Sequence, residues 1–182
     1  GPTTLAPLAK LFGTELLDSG HGMWQVRDQN GSSVALAAPL PGERHRPCEI
    51  VTPPMTHHRE KTLKRLLSLA SSMGFTLAKE SATHIHFDAA DLMSARITAN
   101  LICYLNAYGD VLKRLVGCNA FCRRLGSWPM DLIQTVCQPG FRTLPWEKAK
   151  ALLIDCHLKK YCDFNIKNYV LNLKDKSTFE VR

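Results

Sequence analysis

No apolar run in the 182 residues approaches the roughly 18 to 20 residues that a membrane-spanning helix needs. No positively charged start leads into an apolar core, so no secretory signal is visible. No Cys-x-x-Cys pair occurs. Cys118 and Cys122 are spaced as C-x3-C, but no histidine pair follows at zinc-finger spacing. The seven cysteines are an odd number, and several lie in apolar helical settings, where cysteine packs as a small hydrophobe. These absences argue against a disulfide framework or a structural zinc. They point to reduced thiols in the cytoplasm, with no membrane partner. There is also no internal repeat, no low-complexity tract, no finger or helix-turn-helix pattern and no aromatic RNA-binding signature. That speaks against nucleic acid as the partner.

What is present begins with charge. A net charge of +7 and a pI near 9.1 favour anionic partners such as nucleotide phosphates or carboxylates. The basic residues are scattered, however, and most of them read as solvated surface. The length and 45% apolar content suit one domain over 1–182 with a real core. Gly1-Pro2 reads as a protease remnant, so the expected chain is one domain shortened at both ends.

Periodicity predicts a helix over 3–12, stopped by Gly13, then a strand over 23–27. Asp28-Gln29-Asn30-Gly31 signals a reversal into a strand over 34–37. A Pro-rich loop over 39–47 leads to a strand over 48–51, halted by Pro53-Pro54. Thr56 is the expected cap of a helix that runs to Met73 and is closed by Gly74. Short strands are expected over 75–78 and 81–88. A long helix follows over 91–115, with Ile97, Leu101, Tyr104, Leu105, Tyr108, Leu112 and Leu115 inward and Gly109 as its weak point. Residues 117–145 read as irregular and 146–161 as a helix. The segments 164–166, 169–171 and 177–182 read as extended, with a turn at Asp175-Lys176. Strands interleaved with helices and joined by tight turns imply an α+β fold, with an antiparallel or mixed sheet and helices on one side.

Side chains on a strand repeat every second residue. His84, His86 and Asp88 therefore share one face, while Ile85 and Phe87 point to the core. Thr178, Glu180 and Arg182 share a face opposite Phe179 and Val181. Were the strand of Glu49 to neighbour these two, one sheet face would present Glu49, His84, His86, Asp88, Glu180 and Arg182. Carboxylates and imidazoles can hold Mg²⁺ or Mn²⁺, and an arginine can neutralise phosphate. The same residues also suit an exposed sheet face carrying separate salt bridges.

The segment CEIVTPPM resembles the G-x-E-I-V-S-P-P-L segment of the amidoligase family, which is related to glutamate–cysteine ligase and glutamine synthetase. MWQVRDQNGSS resembles the family's preceding strand and turn, W-x-V-x-x-D-x-S. ATHIHFDAADL resembles G-x-H-V-H-V-D and the helix after it, and NAFCRRL resembles N-x-Y-C-x-x-L. The stretch from Tyr161 to Arg182 resembles Y-x-x-x-N-L … T-I-E-F-R. The matches follow the family's order from about Leu8 to Arg182.

The resemblance implies a curved, mainly antiparallel sheet with helices packed on one face, whose concave face binds ATP and Mg²⁺ (or Mn²⁺). It implies an enzyme that phosphorylates a substrate carboxylate and then lets an amine displace phosphate. The substrates would be an amino acid, a peptide or a protein side chain, which makes peptide modification one expected role. By motif, Glu49, His84, His86 and Glu180 would bind metal, with Glu180 and Arg182 catalytic. Arg182 would neutralise the transferring phosphoryl group, Asp88 would support the nucleotide, and Asn165 would orient substrate or brace the sheet. The chain departs from the pattern in several places. Relatives open with a G-x-E-x-E strand, and Gly13-Thr14-Glu15-Leu16-Leu17 has one acid and fits better as the end of a helix. Ala82 stands for the family's glycine, and Val116 stands for a basic residue.

Two other readings compete. One is a catalytically degenerate relative that binds nucleotide or protein. The other is a Cys/His hydrolase or transamidase using Cys48 or Cys122. An unpaired final strand ending at Arg182 could also dock a second copy, giving an oligomer.

Overall fold

The computed structural model describes residues 2–27, 31, 33–38, 49–55, 58–77, 81–119, 121–122, 126–173 and 177–182. The chain forms two compact units, Gly1–Ala78 and Lys79–Arg182. Among the described residues no helix is long and apolar enough to cross a membrane.

In the first unit, helix α1 (Pro2–Leu11) precedes a meander of β1 (Leu16–Asp18), β2 (Trp24–Arg27), β3 (Ser33–Ala38) and β4 (Glu49–Val51). The strands pair antiparallel in that order. The register sets Val26 opposite Leu16 and Ala35, and Trp24 opposite Ala37. One face of the sheet is therefore apolar. Val26, Ala35 and Ala37 are buried against Leu5, Leu8 and Ala9 of α1 and Leu66 of α2 (Arg59–Ser72). Burying each such leucine contributes about 1.5–3 kcal/mol.

Several expectations change here. The segment after Gly13 is strand β1, not the end of a helix, because Leu16 packs with the sheet core. The expected strand over 75–78 is absent among its described residues. Gly74, at φ 80°, donates to the Ser71 carbonyl, and Phe75 N–H reaches back 3.1 Å to the Ala70 carbonyl, closing α2 in a Schellman motif. The Phe75 amide is thus spent on the helix. The expected Thr56 cap, the Asn30 turn, the 39–47 loop and Cys48 lie outside the described residues.

The second unit contains β5 (Ile85–Asp88), α3 (Ala95–Leu115), α4 (Met130–Val136), α5 (Trp146–Asp155), β6 (Phe164–Asn165), α6 (Lys167–Val170) and β7 (Thr178–Val181). Its sheet has the order β5-β7-β6, antiparallel throughout. The core joins Ile102 and Leu105 of α3, Leu132 and Val136 of α4, Leu153 of α5, and Phe164, Tyr169 and Phe179. Burial pushes the Tyr169 hydroxyl up to about 12, against the pull of its 3.2 Å contact with Thr98 Oγ1.

Helix α3 runs unbroken through Gly109 because nothing larger fits. A Cβ there would lie 2.6 Å from the Phe164 ring. Its inner face is Ala95, Thr98, Ala99, Ile102, Leu105 and Gly109, whereas Ile97, Tyr104, Tyr108 and Leu115 are exposed. Of the expected inner stripe, Leu105 is buried and Leu101 and Leu112 pack against the core, while the rest turns outward because small residues let the helix approach Phe164. Helix α5 stops at Asp155, short of Tyr161, since His157 takes a left-handed φ of 50°. Residues 130–136 are helical, not irregular, and 169–170 belong to α6 instead of an extended segment. The last strand is not an open edge: β7 is paired on both sides, which removes that route to an oligomer.

The fold is thus α+β with antiparallel sheets, as the interleaved pattern implied. The described strands form two sheets, not one.

Candidate functional site

Strand register builds the site. β7 is central, with Glu180 opposite His86 on β5 and Asn165 on β6. Two residues on, Arg182 lies on the same face, and its amide donates to the Asp163 carbonyl at 2.9 Å. His84, just before β5, brings its ring to the same carboxylate.

Glu180 is the hub. It is 3% exposed, and both its oxygens are engaged. Arg182 grips it with a fork, Nε to Oε1 at 2.8 Å and Nη2 to Oε2 at 3.1 Å. Asn165 Nδ2 donates to Oε2 at 2.8 Å, while Asn165 Oδ1 accepts from the Lys167 amide. His84 Nδ1 and His86 Nε2 lie 3.3 Å and 3.5 Å from Oε1. Burial alone would push the Glu180 carboxyl up. The Arg182 and Asn165 hydrogen bonds, with the charges of Arg182 and His86, outweigh it and hold the group below its ordinary value.

The surroundings fix these groups. The Arg182 guanidinium sits 5.9 Å from the centre of the Tyr161 ring. His86 Nδ1 is 2.9 Å from Thr178 Oγ1, which also receives Asn168 Nδ2 at 3.4 Å. With Asn168 donating, the threonine hydroxyl is free to donate to Nδ1. A neutral His86 ring that accepts there carries its proton on Nε2, facing Glu180. Behind the site, Lys113 binds Asp163 and Asp110 at 2.7 Å and 2.8 Å.

The structure thus brings together His84, His86, Glu180 and Arg182, and it gives Asn165 the bracing role. Asp88 lies along the same strand face, but its Oδ1 accepts from the Ala90 amide at 3.0 Å and closes the turn after β5. Glu49 is in β4, which pairs with β3 in the other sheet, so neighbouring strands do not form the expected six-residue face. The Glu49 side chain lies outside the described residues. Ile85 and Phe87 are 50% and 49% exposed and do not enter a core. β5 is an edge strand, and the apolar side of the sheet meets α3 at β6.

Tyr161 and Thr178 were missed as site residues. Thr178 had a readable signal, its alternation with Glu180 and Arg182. Tyr161 reaches Arg182 through a loop, and its one signal was its place at the head of the Y-x-x-x-N-L match.

The family model described as Putative amidoligase enzyme matches residues 17–182. The chain belongs to this family. No curated protein and no solved structure matches it.

An amidoligase of the kind the sequence suggested would use a divalent metal, and the donor set can be tested for one. Mg²⁺ demands oxygen ligands in octahedral array. The described face offers two imidazoles and two carboxylates, Glu180 already bonded to a guanidinium and an amide, and Asp88 already bonded to the Ala90 amide. Among the described residues no group of three or more His, Cys, Asp or Glu side chains is placed to hold a metal ion. The described residues therefore do not fit Mg²⁺ by themselves.

Proposed function

We propose that this amidoligase joins a carboxylate to an amine at the expense of ATP, on an amino acid, peptide or protein side chain. Family membership supports the reaction class. The observation that carries the assignment of the site is the buried Glu180–Arg182 pair with two imidazoles at its open side.

In this reading a carboxylate oxygen attacks the γ-phosphorus of ATP and ADP leaves. The amine then attacks the acyl carbon, and phosphate departs with the former carboxylate oxygen. Phosphoryl transfer needs positioning and charge neutralisation more than a protein nucleophile. Glu180 holds Arg182 and orients both histidines. The His84 and His86 rings line the open side of Glu180, where imidazoles can bind phosphate oxygens, and the proton lost by the amine passes to solvent. Mg²⁺ or Mn²⁺ would enter as the companion ion of ATP, and no step is assigned to it.

A carboxylate pool labelled with ¹⁸O tests the mechanism. The label should pass to inorganic phosphate, with repeated turnover of ATP to ADP only when carboxylate and amine are both present. Label in AMP, or repeated turnover that ignores the amine, would contradict it.

The saturation of Glu180 favours a second reading, a relative that binds nucleotide without turnover. Calorimetry with Mg²⁺-ATP separates the two: binding without product supports the second, and no binding removes the first. For the Cys/His reading, Cys48 lies outside the described residues. Cys122 N–H bonds the Asn119 carbonyl at 3.1 Å.

A further inference from the structure

We propose that Cys103 and Cys137 form a reversible disulfide joining α3 to the end of α4, made and broken by thiol–disulfide exchange with a small-molecule disulfide. This does not rest on the ligase reading.

The two sulfurs lie 3.8 Å apart. A bond length of about 2.0 Å requires the two sulfurs to approach further. Cys137 is exposed at the C-terminal cap of α4, and Cys103 is half-buried on α3. Arg142 attends the pair: its Nη2 is 3.5 Å from Cys103 Sγ, and its Nε donates to Asn100 Oδ1 at 3.1 Å. Asn100 stands one turn before Cys103 on the same helix face, so the guanidinium is held against the sulfur. Among the described cysteines, no other pair makes a thiol–thiol contact. Cys156 and Cys162 are buried, with their thiols donating to the Leu152 and Phe164 carbonyls. Burial pushes Cys162 up to about 11, out of the reactive range. The Cys118 thiol bonds the Arg182 carbonyl at 3.6 Å.

The geometry orders the steps. Burial, then the neighbouring Cys137 thiol, hold the Cys103 thiol above its ordinary value, with Arg142 pulling the other way. Exposed Cys137 is therefore the attacking group. Its thiolate breaks the S–S bond of the small disulfide, forms a mixed disulfide and releases one thiolate. Cys103 loses its proton to solvent, and Arg142 steadies the anion as it attacks Cys137 Sγ. The second thiolate then leaves. Two cysteines are oxidised, one small disulfide is reduced to two thiols, and protons balance through solvent.

The test is oxidised glutathione added to the purified chain, followed by alkylation and non-reducing peptide mapping. The expected product is one cross-linked peptide joining Cys103 to Cys137, with the melting temperature raised by several degrees and restored by dithiothreitol. Cys137→Ser should abolish the cross-link and leave Cys103 free. Cys103→Ser should trap glutathione on Cys137, and circular dichroism of both variants checks the fold. Stable glutathionylation of wild-type Cys137, pairing of either residue with another cysteine, or full retention of both thiols would each overturn the proposal.

Discussion

On the polar face of the β5-β7-β6 sheet, Asn165, Glu180 and Arg182 are sealed, and the neighbouring His84 and His86 are open. Asn165, Glu180 and Arg182 are 1%, 3% and 7% exposed and satisfy one another. The side chains of His84 and His86 are 29% and 48% exposed, and both approach the same carboxylate. One carboxylate therefore serves two regions. Inward it is structural, closing an ion pair that would otherwise be costly to bury. Outward it orients groups that can meet a ligand. Substitutions on the inner side should cost stability, and those on the outer side should cost function.

Breaking the inner pair gives the largest effect. Arg182→Met leaves Glu180 buried beside no guanidinium and should cost about 3–5 kcal/mol. Urea unfolding measures it, and a change within experimental error would erase the distinction between the two regions. Next comes the sheet's other side. Gly109→Ala drives a methyl into the Phe164 ring and should cost about 1–3 kcal/mol. Asn165→Ala removes the donor to Glu180 Oε2 and the acceptor for the Lys167 amide, at about 1–3 kcal/mol.

Acid should separate the regions further. The Glu180 carboxyl is held below its ordinary 4.5, so its contribution is complete above that value. It is lost as pH falls through the lower folded value, where the folded state takes up the proton last. The stability difference between wild type and Glu180→Gln, followed by urea midpoints, should shrink as pH falls below about 4.5. A difference that grows as pH falls below that value would reverse the assignment. Smallest in stability are His84→Ala and His86→Ala, expected within about 0.5 kcal/mol of wild type, as for exposed positions.

This division was partly legible in the sequence. Alternation in His84-Ile85-His86-Phe87-Asp88 and in Thr178-Phe179-Glu180-Val181-Arg182 sorted the polar face from the apolar one. It could not say that β7 lies between β5 and β6, because pairing depends on contacts distant in sequence. So Glu49 was grouped with strands that β4 does not join, and Ile85 and Phe87 were assigned to a core that ends short of the β5 edge. Helix α3 shows the same limit. Its sequence carries two apolar stripes, and only the fit of Gly109 against Phe164 decides which one turns inward. Capping chemistry was more readable at Gly74 than at His157, since a histidine with positive φ has no compositional signal.

The central claim is that the open histidine edge belongs to a ligase site. The most direct measurement is ADP release from wild type and from the His84→Ala/His86→Ala double variant, with ATP, Mg²⁺ and a pool of the common amino acids. The account predicts turnover in wild type that needs both carboxylate and amine. It predicts a loss of about 100-fold or more in a double variant that still unfolds at the wild-type urea midpoint. Turnover unchanged in that folded double variant would contradict it.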